Sequence, residues 1–430
     1  MNTKILLALI FLLSATCLKA QVTSCLTNDV DGYASLSGEG LGTTTGGKGG
    51  TVVNISSLSQ LEDWVSSRED NSSPEIVYIN GLIEQPGTSS MVLTIKRGGN
   101  ISIIGNTYDA GLKNIGLNFR EYTNVIVRNL TVREVFYPND GITIDECHHV
   151  WIDHCDLYSK NGPGIGVDTY DGLLDVKNGS HNVTISWNKL HSHKKVNLLG
   201  HTDNSSAQSI DKNIRVTFHH NYYYDNDGRN PSLRWGAAHV YNNYYKDIYD
   251  YGIAVRQGAH ALIENNIYEN VITPISTNKF TGEGYACERG NVFTGCGPNS
   301  ITQTECSWWN SSTLPYNYSL TPTDNLIALL TTKTGTCSSS TVTDLQTKNT
   351  LGLFNGVFPN PTNRSFTVKA DRPVKSISIV DLFGKLLEEQ STIVVREDIE
   401  VGADLPEGTY MLMVEYFSGE REAVKIVKVK

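Results

Sequence analysis

Six residues in one stretch of the chain have the types and spacing to do chemistry: Asp140, Asp171, Asp175, Lys195, Arg229 and Arg234. Carboxylates are hard oxygen ligands of the kind Ca2+ prefers, and three of them leave coordination positions for substrate or water. Asp171 and Asp175 stand four residues apart in Asp171-Gly172-Leu173-Leu174-Asp175. The lysine and two arginines suit anionic groups, and a guanidinium can hold a carboxylate through two parallel hydrogen bonds. Taken singly, each aspartate reads as a turn cap, the commoner role of Asp in loops. Gathered with three cations, they read as a divalent-cation site that grips a carboxylate-bearing polymer.

The histidines point elsewhere. His148-His149 and His219-His220 are adjacent pairs, and neighbouring residues on a strand face opposite ways, so neither pair chelates easily. His191-x-His193 has better spacing but no evident third ligand. All are expected to be ladder and turn residues. No G-x-S-x-G elbow supports a serine nucleophile.

Whatever positions the six residues is repetitive. Short β-rich runs recur: ISIIGN (101–106), VIVRN (125–129), VWIDHC (150–155), VTISWN (183–188), VTFHHN (216–221), HVYNN (239–243), LIENN (262–266) and ERGN (288–291). Aligned on their last residues, they give Asn106, Asn129, Cys155, Asn188, Asn221, Asn243, Asn266 and Asn291, in steps of 23, 26, 33, 33, 22, 23 and 25 residues. Strands at that period with no helical pattern between them predict a parallel β-helix, one turn per repeat, rather than a long β-sandwich. Asn at one register suits a turn where amides bond those above and below. The two long steps lie between Cys155 and Asn221, so the extra residues emerge there as loops, the usual place for a solenoid's binding face. Asp171 and Asp175 fall in the first insertion and Lys195 in the second. Ahead of the ladder, Leu58, Leu61, Trp64 and Val65 have helical spacing behind Ser57, predicting an N-capped helix that closes the solenoid's end. Gly46-Gly47-Lys48-Gly49-Gly50 lacks the Ser/Thr and preceding strand of a phosphate loop and reads as turns.

Composition sets further bounds. A net charge of −10 argues against nucleic acid as a partner, and it also repels an acidic polymer, so a local basic cluster or bound cation must hold one. Residues 1–20 have the basic start, short apolar core and small-residue end of a signal peptide, with cleavage expected before Gln21. Cys17 raises a lipoprotein alternative, which Thr16 disfavours. No later run has the length to span a bilayer, so a secreted, soluble monomer is expected. Seven cysteines follow residue 20, and the odd number leaves at least one outside intramolecular pairing. Proximity favours Cys287 with Cys296. Residues 338–350 read as a polar linker after a β-helix over 21–337, and 351–430 as a small β-sandwich of alternating strands.

The ordered motifs are similar to those of the pectate lyase branch of polysaccharide lyase family 1. They comprise Asp140-Gly141-Ile142, Val150-Trp151-Ile152-Asp153-His154, Asp171-x-x-x-Asp175, His191-x-His193-x-Lys195, Arg229-Asn230-Pro231-x-x-Arg234 and His239-Val240-Tyr241-Asn242-Asn243. The resemblance covers about residues 30–335 and implies a right-handed parallel β-helix that cleaves polygalacturonate by calcium-dependent β-elimination. It further implies Asp140, Asp171 and Asp175 as calcium ligands, Arg229 as the base at C5, and Lys195 and Arg234 as binders of substrate carboxylates. Ile142 stands where some members have a further aspartate, which leaves the number of calcium ions open. Phe358-Pro359-Asn360-Pro361, Asp381-Leu382-Phe383-Gly384-Lys385 and Gly408-Thr409-Tyr410 resemble the C-terminal sorting domain of the type IX secretion system, which implies outer-membrane export by that machinery. The runner-up for this region is a carbohydrate-binding module. For the larger domain the alternatives are a β-helix polygalacturonase, a lyase of methylated pectin, and a non-catalytic adhesin.

Overall fold

The computed structural model describes residues 29–337, 354–370, 374–381, 385–393, 399–416 and 421–430. The proposed signal peptide and linker, residues 1–20 and 338–350, lie outside them. The chain divides into two compact units, residues 1–340 and 341–430.

Three columns of strands build the first unit, a parallel β-solenoid of about ten turns. One column runs through Ile142–Asp145, Leu174–Lys177, Leu198–Leu199, Ser232–Arg234, Ile253–Arg256 and Ile275–Ser276. A second runs through His148–Asp153, His181–Ser186, Arg215–His219, Ala237–Tyr241, His260–Glu264 and Tyr285–Arg289, and a third carries strands such as Lys189–Lys195 and Tyr222–Gly228. Every strand pair in these columns is parallel and in register, for example Val183 with Val150 and with Val216. Aliphatic residues from all three columns, including Val150, Ile185, Val216, Leu233 and Ile263, fill one continuous core.

The Asn register has the role its period predicted from Asn188 onward, whereas Asn129 Nδ2 donates to Gly105 O and Asn106 Nδ2 to Asn80 Oδ1. Nδ2 of Asn188, Asn221, Asn243 and Asn266 donates to Oδ1 of the next Asn in the series, ending at Asn291, at 3.0, 2.9, 3.0 and 2.9 Å. The amide of Cys155 donates to Asn188 Oδ1 at 2.8 Å and joins the ladder at its start. Because buried polar groups without partners are costly, each amide is satisfied only if the turns stay in step. The histidines also stack between turns, His148 on His181 and His191 between Tyr158 and Tyr224.

The helix Leu58–Ser67 starts at Ser57, whose side chain accepts from Gln60 N, and buries Leu61, Trp64 and Val65 in the core. The glycine run is a turn laid on the sheet. A Cβ at Gly47 would stand 1.8 Å from the Glu75 carbonyl oxygen, so close packing explains that glycine without a phosphate. Both ends of the solenoid sequence meet on its second column. Thr217 Oγ1 accepts from Tyr33 N at 3.0 Å and pairs with the Tyr316 hydroxyl at 2.7 Å, while Tyr33 Oη donates to Thr313 O at 2.5 Å.

One disulfide departs from expectation: Cys287 pairs with Cys306, not Cys296, across a Cα–Cα distance of 4.8 Å. The returning loop brings Cys306 against the Tyr285–Arg289 strand, and Ala286 N donates to Gln303 O beside it. Among the described residues Cys296 is free, as are buried Cys147 and Cys155, and Cys337 is disulfide-bonded.

In the second unit all pairings named are antiparallel: Phe354–Phe358, Phe366–Ala370 and Ile399–Val401 form one sheet. Leu386–Ile393, Val374–Val380, Gly408–Tyr416 and Arg421–Lys428 form the other. Phe366 and Val368 from the first sheet share a core with Ile377, Leu412 and Ile426 from the second, which makes the unit a β-sandwich.

Replacing Asn243 by alanine should cost the solenoid about 2 kcal/mol or more, because it strands polar groups on both neighbouring turns. Denaturant unfolding of the variant would check this, and an unchanged midpoint would remove the ladder from the list of stabilising features.

Candidate active site

Asp175 and Arg234 lie on the first column of strands, Lys195 ends the third-column strand Lys189–Lys195, and Asp140, Asp171 and Arg229 lie in the segments leading into the first column. Asp175 lies on the Leu174–Lys177 strand rather than in a loop, and its side chain is buried. Its Oδ1 accepts from Leu198 N at 3.1 Å. Burial, and secondarily the charge of Asp140, push its carboxyl up to about 7, while Lys177 and Arg229 pull the other way. Asp140 Oδ1 accepts from Gly172 N and Oδ2 from Thr143 Oγ1, both at 2.9 Å. A Cβ at Gly172 would come within 2.6 Å of the Asp175 carboxylate, so any larger residue there would have to displace that group.

Asp171 points to another partner. Its Oδ1 meets Lys195 Nζ at 2.8 Å, and Asp168 Oδ1 meets the same nitrogen at 2.9 Å. Burial opposes the Lys195 charge, but these two carboxylates outweigh it and hold the ammonium above the usual lysine range. The Tyr137 ring lies 5.8 Å from Nζ. His193 turns inward: its Nδ1 accepts from Lys195 N at 3.0 Å. Burial, with Lys195 and Arg229 nearby, lowers its pKa to about 3. It is therefore a neutral acceptor that fixes Lys195.

Arg229 follows the Tyr222–Gly228 strand at a φ of +63°. Its charge reaches Asp175, His193 and Tyr251. Yet among the described residues its guanidinium makes neither a hydrogen bond nor an ion pair. A half-buried cation without a committed partner is available to a ligand. Arg234 instead donates through Nε to Asp203 Oδ1 and through Nη1 to Gly200 O, both at 2.5 Å.

The structure thus joins Asp140 to Asp175 and Asp171 to Lys195. Among the described residues no three carboxylate, histidine or cysteine side chains converge as a preformed cage. The donor chemistry nonetheless fits a hard cation, since the buried Asp175 and neighbouring Asp140 repel each other unless protonated or neutralised by a positive charge. Lys177 supplies part of that charge, with Nζ 2.9 Å from Asp140 Oδ2.

Sequence reasoning missed Lys177, Asp168, Asp203 and Arg256. Lys177 sits two positions after Asp175 on one strand, hence on the same face. Arg256 lies 22 residues after Arg234, the step that separates Asn221 from Asn243, and the two are register partners. The period alone would have found it. Nothing local distinguishes Asp168 or Asp203 from other loop aspartates.

A family profile described as pectate lyase matches residues 3–339. This chain belongs to the pectate lyase family. Among relatives, a pectate trisaccharide-lyase of Bacillus licheniformis is 36% identical over 306 residues, covering 71% of this chain and 85% of that protein. Pectate lyase A of Aspergillus niger is 37% identical over 298 residues, covering 69% and 84%. Among solved structures, a pectate lyase of Bacillus sp. N165 in complex with trigalacturonate has a TM-score of 0.61 at 31% identity, covering 72% of this chain and 99% of that one. Pectate lyase C of Erwinia chrysanthemi, solved at pH 9.5 with 30 mM Ca2+, has a TM-score of 0.58 at 25% identity, covering 72% and 96%. The protein is a polysaccharide lyase with a pectate lyase β-helix. Residues 356–429 match a secretion system C-terminal sorting domain, which points to secretion. Among the described residues no helix is long and apolar enough to cross a membrane.

The raised Asp175 carboxyl has a consequence for metal-free protein. The folded state keeps a proton there that the unfolded chain releases near the ordinary value of 3.8. The resulting stabilisation is complete below that value and is lost as pH rises through about 7. Denaturant unfolding in chelator at about pH 5 and about pH 8 should therefore show a smaller loss for Asp175→Asn than for the parent chain. Equal losses would contradict the assigned environment of this group.

Proposed function

We propose that this pectate lyase is calcium-dependent and cleaves (1→4)-α-D-galacturonan by β-elimination, giving 4,5-unsaturated oligogalacturonides. The observation that carries the reading is the uncommitted Arg229 guanidinium beside the Asp175–Asp140 pair. The trigalacturonate bound to one relative and the calcium present with another support the choice of substrate and ion.

Asp140, Asp171 and Asp175 would hold the ion. When bound, Ca2+ supplies Lewis-acid stabilisation of the negative charge that develops next to a uronate carboxylate. Lys195, oriented through His193, and Arg234 pair with substrate carboxylates and fix the sugar ring. Arg229 removes the C5 proton. The electron pair left at C5 forms the C4=C5 double bond, the C4–O4 bond breaks, and O4 leaves with a proton from solvent. Arginine is protonated under ordinary conditions, so only its neutral fraction accepts the proton. That requirement predicts an alkaline optimum.

Arg229→Ala should lower kcat by about 100-fold or more, and chelator should abolish turnover in the parent chain. Formation of the conjugated double bond, followed by its ultraviolet absorbance, measures both and also distinguishes hydrolysis, which yields reducing ends without that chromophore. Undiminished cleavage by Arg229→Ala, or by the parent chain in metal-free buffer, or an acid optimum, would overturn the mechanism.

For the second unit the proposal is export across the outer membrane by type IX secretion, with the sorting domain removed on passage. A chain lacking residues 351–430 should then accumulate in the periplasm. Normal secretion with weakened polymer binding would instead favour a carbohydrate-binding module.

A further inference from the structure

Arg234 and Arg256 are register partners on adjacent turns, so their backbones lie about 4.8 Å apart. Both donate to a single oxygen, Asp203 Oδ1, at 2.5 Å from Arg234 Nε and 2.8 Å from Arg256 Nη2. The two arginine side chains are only 11% and 10% exposed, whereas that of Asp203 is 46% exposed.

The scaffold holds the cations independently of that acid. Arg234 also donates to Gly200 O, and the Arg256 guanidinium lies 4.6 Å over the Phe280 ring. Among the described residues the buried Arg256 Nε has no hydrogen-bond partner. Asp203, by contrast, projects from the loop before the helix Ser205–Asp211. That loop is tied down by its neighbours: Trp235 Nε1 donates to Thr202 O at 3.2 Å, and Asn204 N to Thr202 Oγ1 at 3.2 Å. The Asp203 side chain can therefore rotate to solvent without disturbing the loop. An exposed carboxylate bridging two fixed, largely buried guanidiniums has the geometry of a bound ligand.

We propose that Asp203 is a built-in stand-in for a uronate carboxylate. It fills the Arg234–Arg256 fork in the free protein and is displaced by the incoming acid, and so it determines how strongly the site prefers a free uronate over its methyl ester. The inference rests on the reading of Arg234 as a substrate-binding residue. Exchange of one carboxylate for another yields only the difference between two similar ion pairs, which holds affinity for the free acid down. A neutral ester cannot take the acid's place and is indifferent to it. A purely structural role makes the opposite forecast, since two guanidiniums deprived of their shared counter-ion would repel, splay and bind worse.

The test compares the parent, Asp203→Asn, Asp203→Ser and Arg234→Gln. It measures KM and kcat on polygalacturonate at low and high salt, and inhibition by a methyl-esterified galacturonate oligomer. Both Asp203 variants should lower KM for polygalacturonate about fivefold at low salt, with the gain fading at high salt. Inhibition by the ester should not change. An unchanged or raised KM in both folded variants would overturn the proposal. Arg234→Gln separates the two layers of argument: if it leaves KM untouched, the substrate-binding role of Arg234 fails. If it raises KM while the Asp203 variants bring no gain, only the stand-in role fails.

Discussion

Registration between turns is the constraint from which the remaining architecture follows. Each strand of the solenoid bonds only to the turn before and the turn after, so a slip at one level would misplace everything beyond it. The Asn188-to-Asn291 ladder resists such slips because its amides, buried in all but the last, are satisfied only in step. The stacked aromatic and histidine rings on the third column impose the same alignment through shape. A side chain at one height is thereby fixed relative to side chains many residues away in sequence. Arg234 beside Arg256, and Asp175 beside Asp140, are placed by this means.

Within that frame the site is a problem of charge balance. Three aspartates and the cations around them occupy consecutive turns, in a protein whose net charge is −10. Lys177 answers Asp140, Lys195 answers Asp171 and Asp168, and Asp203 answers two arginines. Burial raises the stakes of each pairing, since Asp175 is deep enough for its carboxyl to resist ionisation. Arg229 stands apart from these pairs, and that separation distinguishes the residue assigned to proton transfer from those assigned to binding.

Much of this was legible in the sequence, for identifiable reasons. The solenoid was visible because a side-chain ladder forces one residue type to recur at one register, and Asn221, Asn243 and Asn266 did so. The N-capped helix was visible because Ser57 and the spacing of Leu61, Trp64 and Val65 are local signals. The disulfide was not, because nearness along the chain says little about which loop returns to a given strand. Cys306 arrives at Cys287 only after the loop has turned back. Asp168 and Asp203 were hidden for a related reason: their importance lies in the cations opposite them, and loop paths carry no period from which to infer an opposite number. The distribution of partners among the three aspartates was likewise a matter of side-chain direction, which spacing does not encode.

The meeting of both ends of the solenoid sequence at Thr217 bears on what completes the fold. Tyr33 precedes Thr313 and Tyr316 by hundreds of residues along the chain, and the hydroxyl cluster needs all of them. A chain without that last loop cannot fasten this clasp. The clasp therefore closes only when the last loop is in place, joining two segments that no single turn of the solenoid brings together.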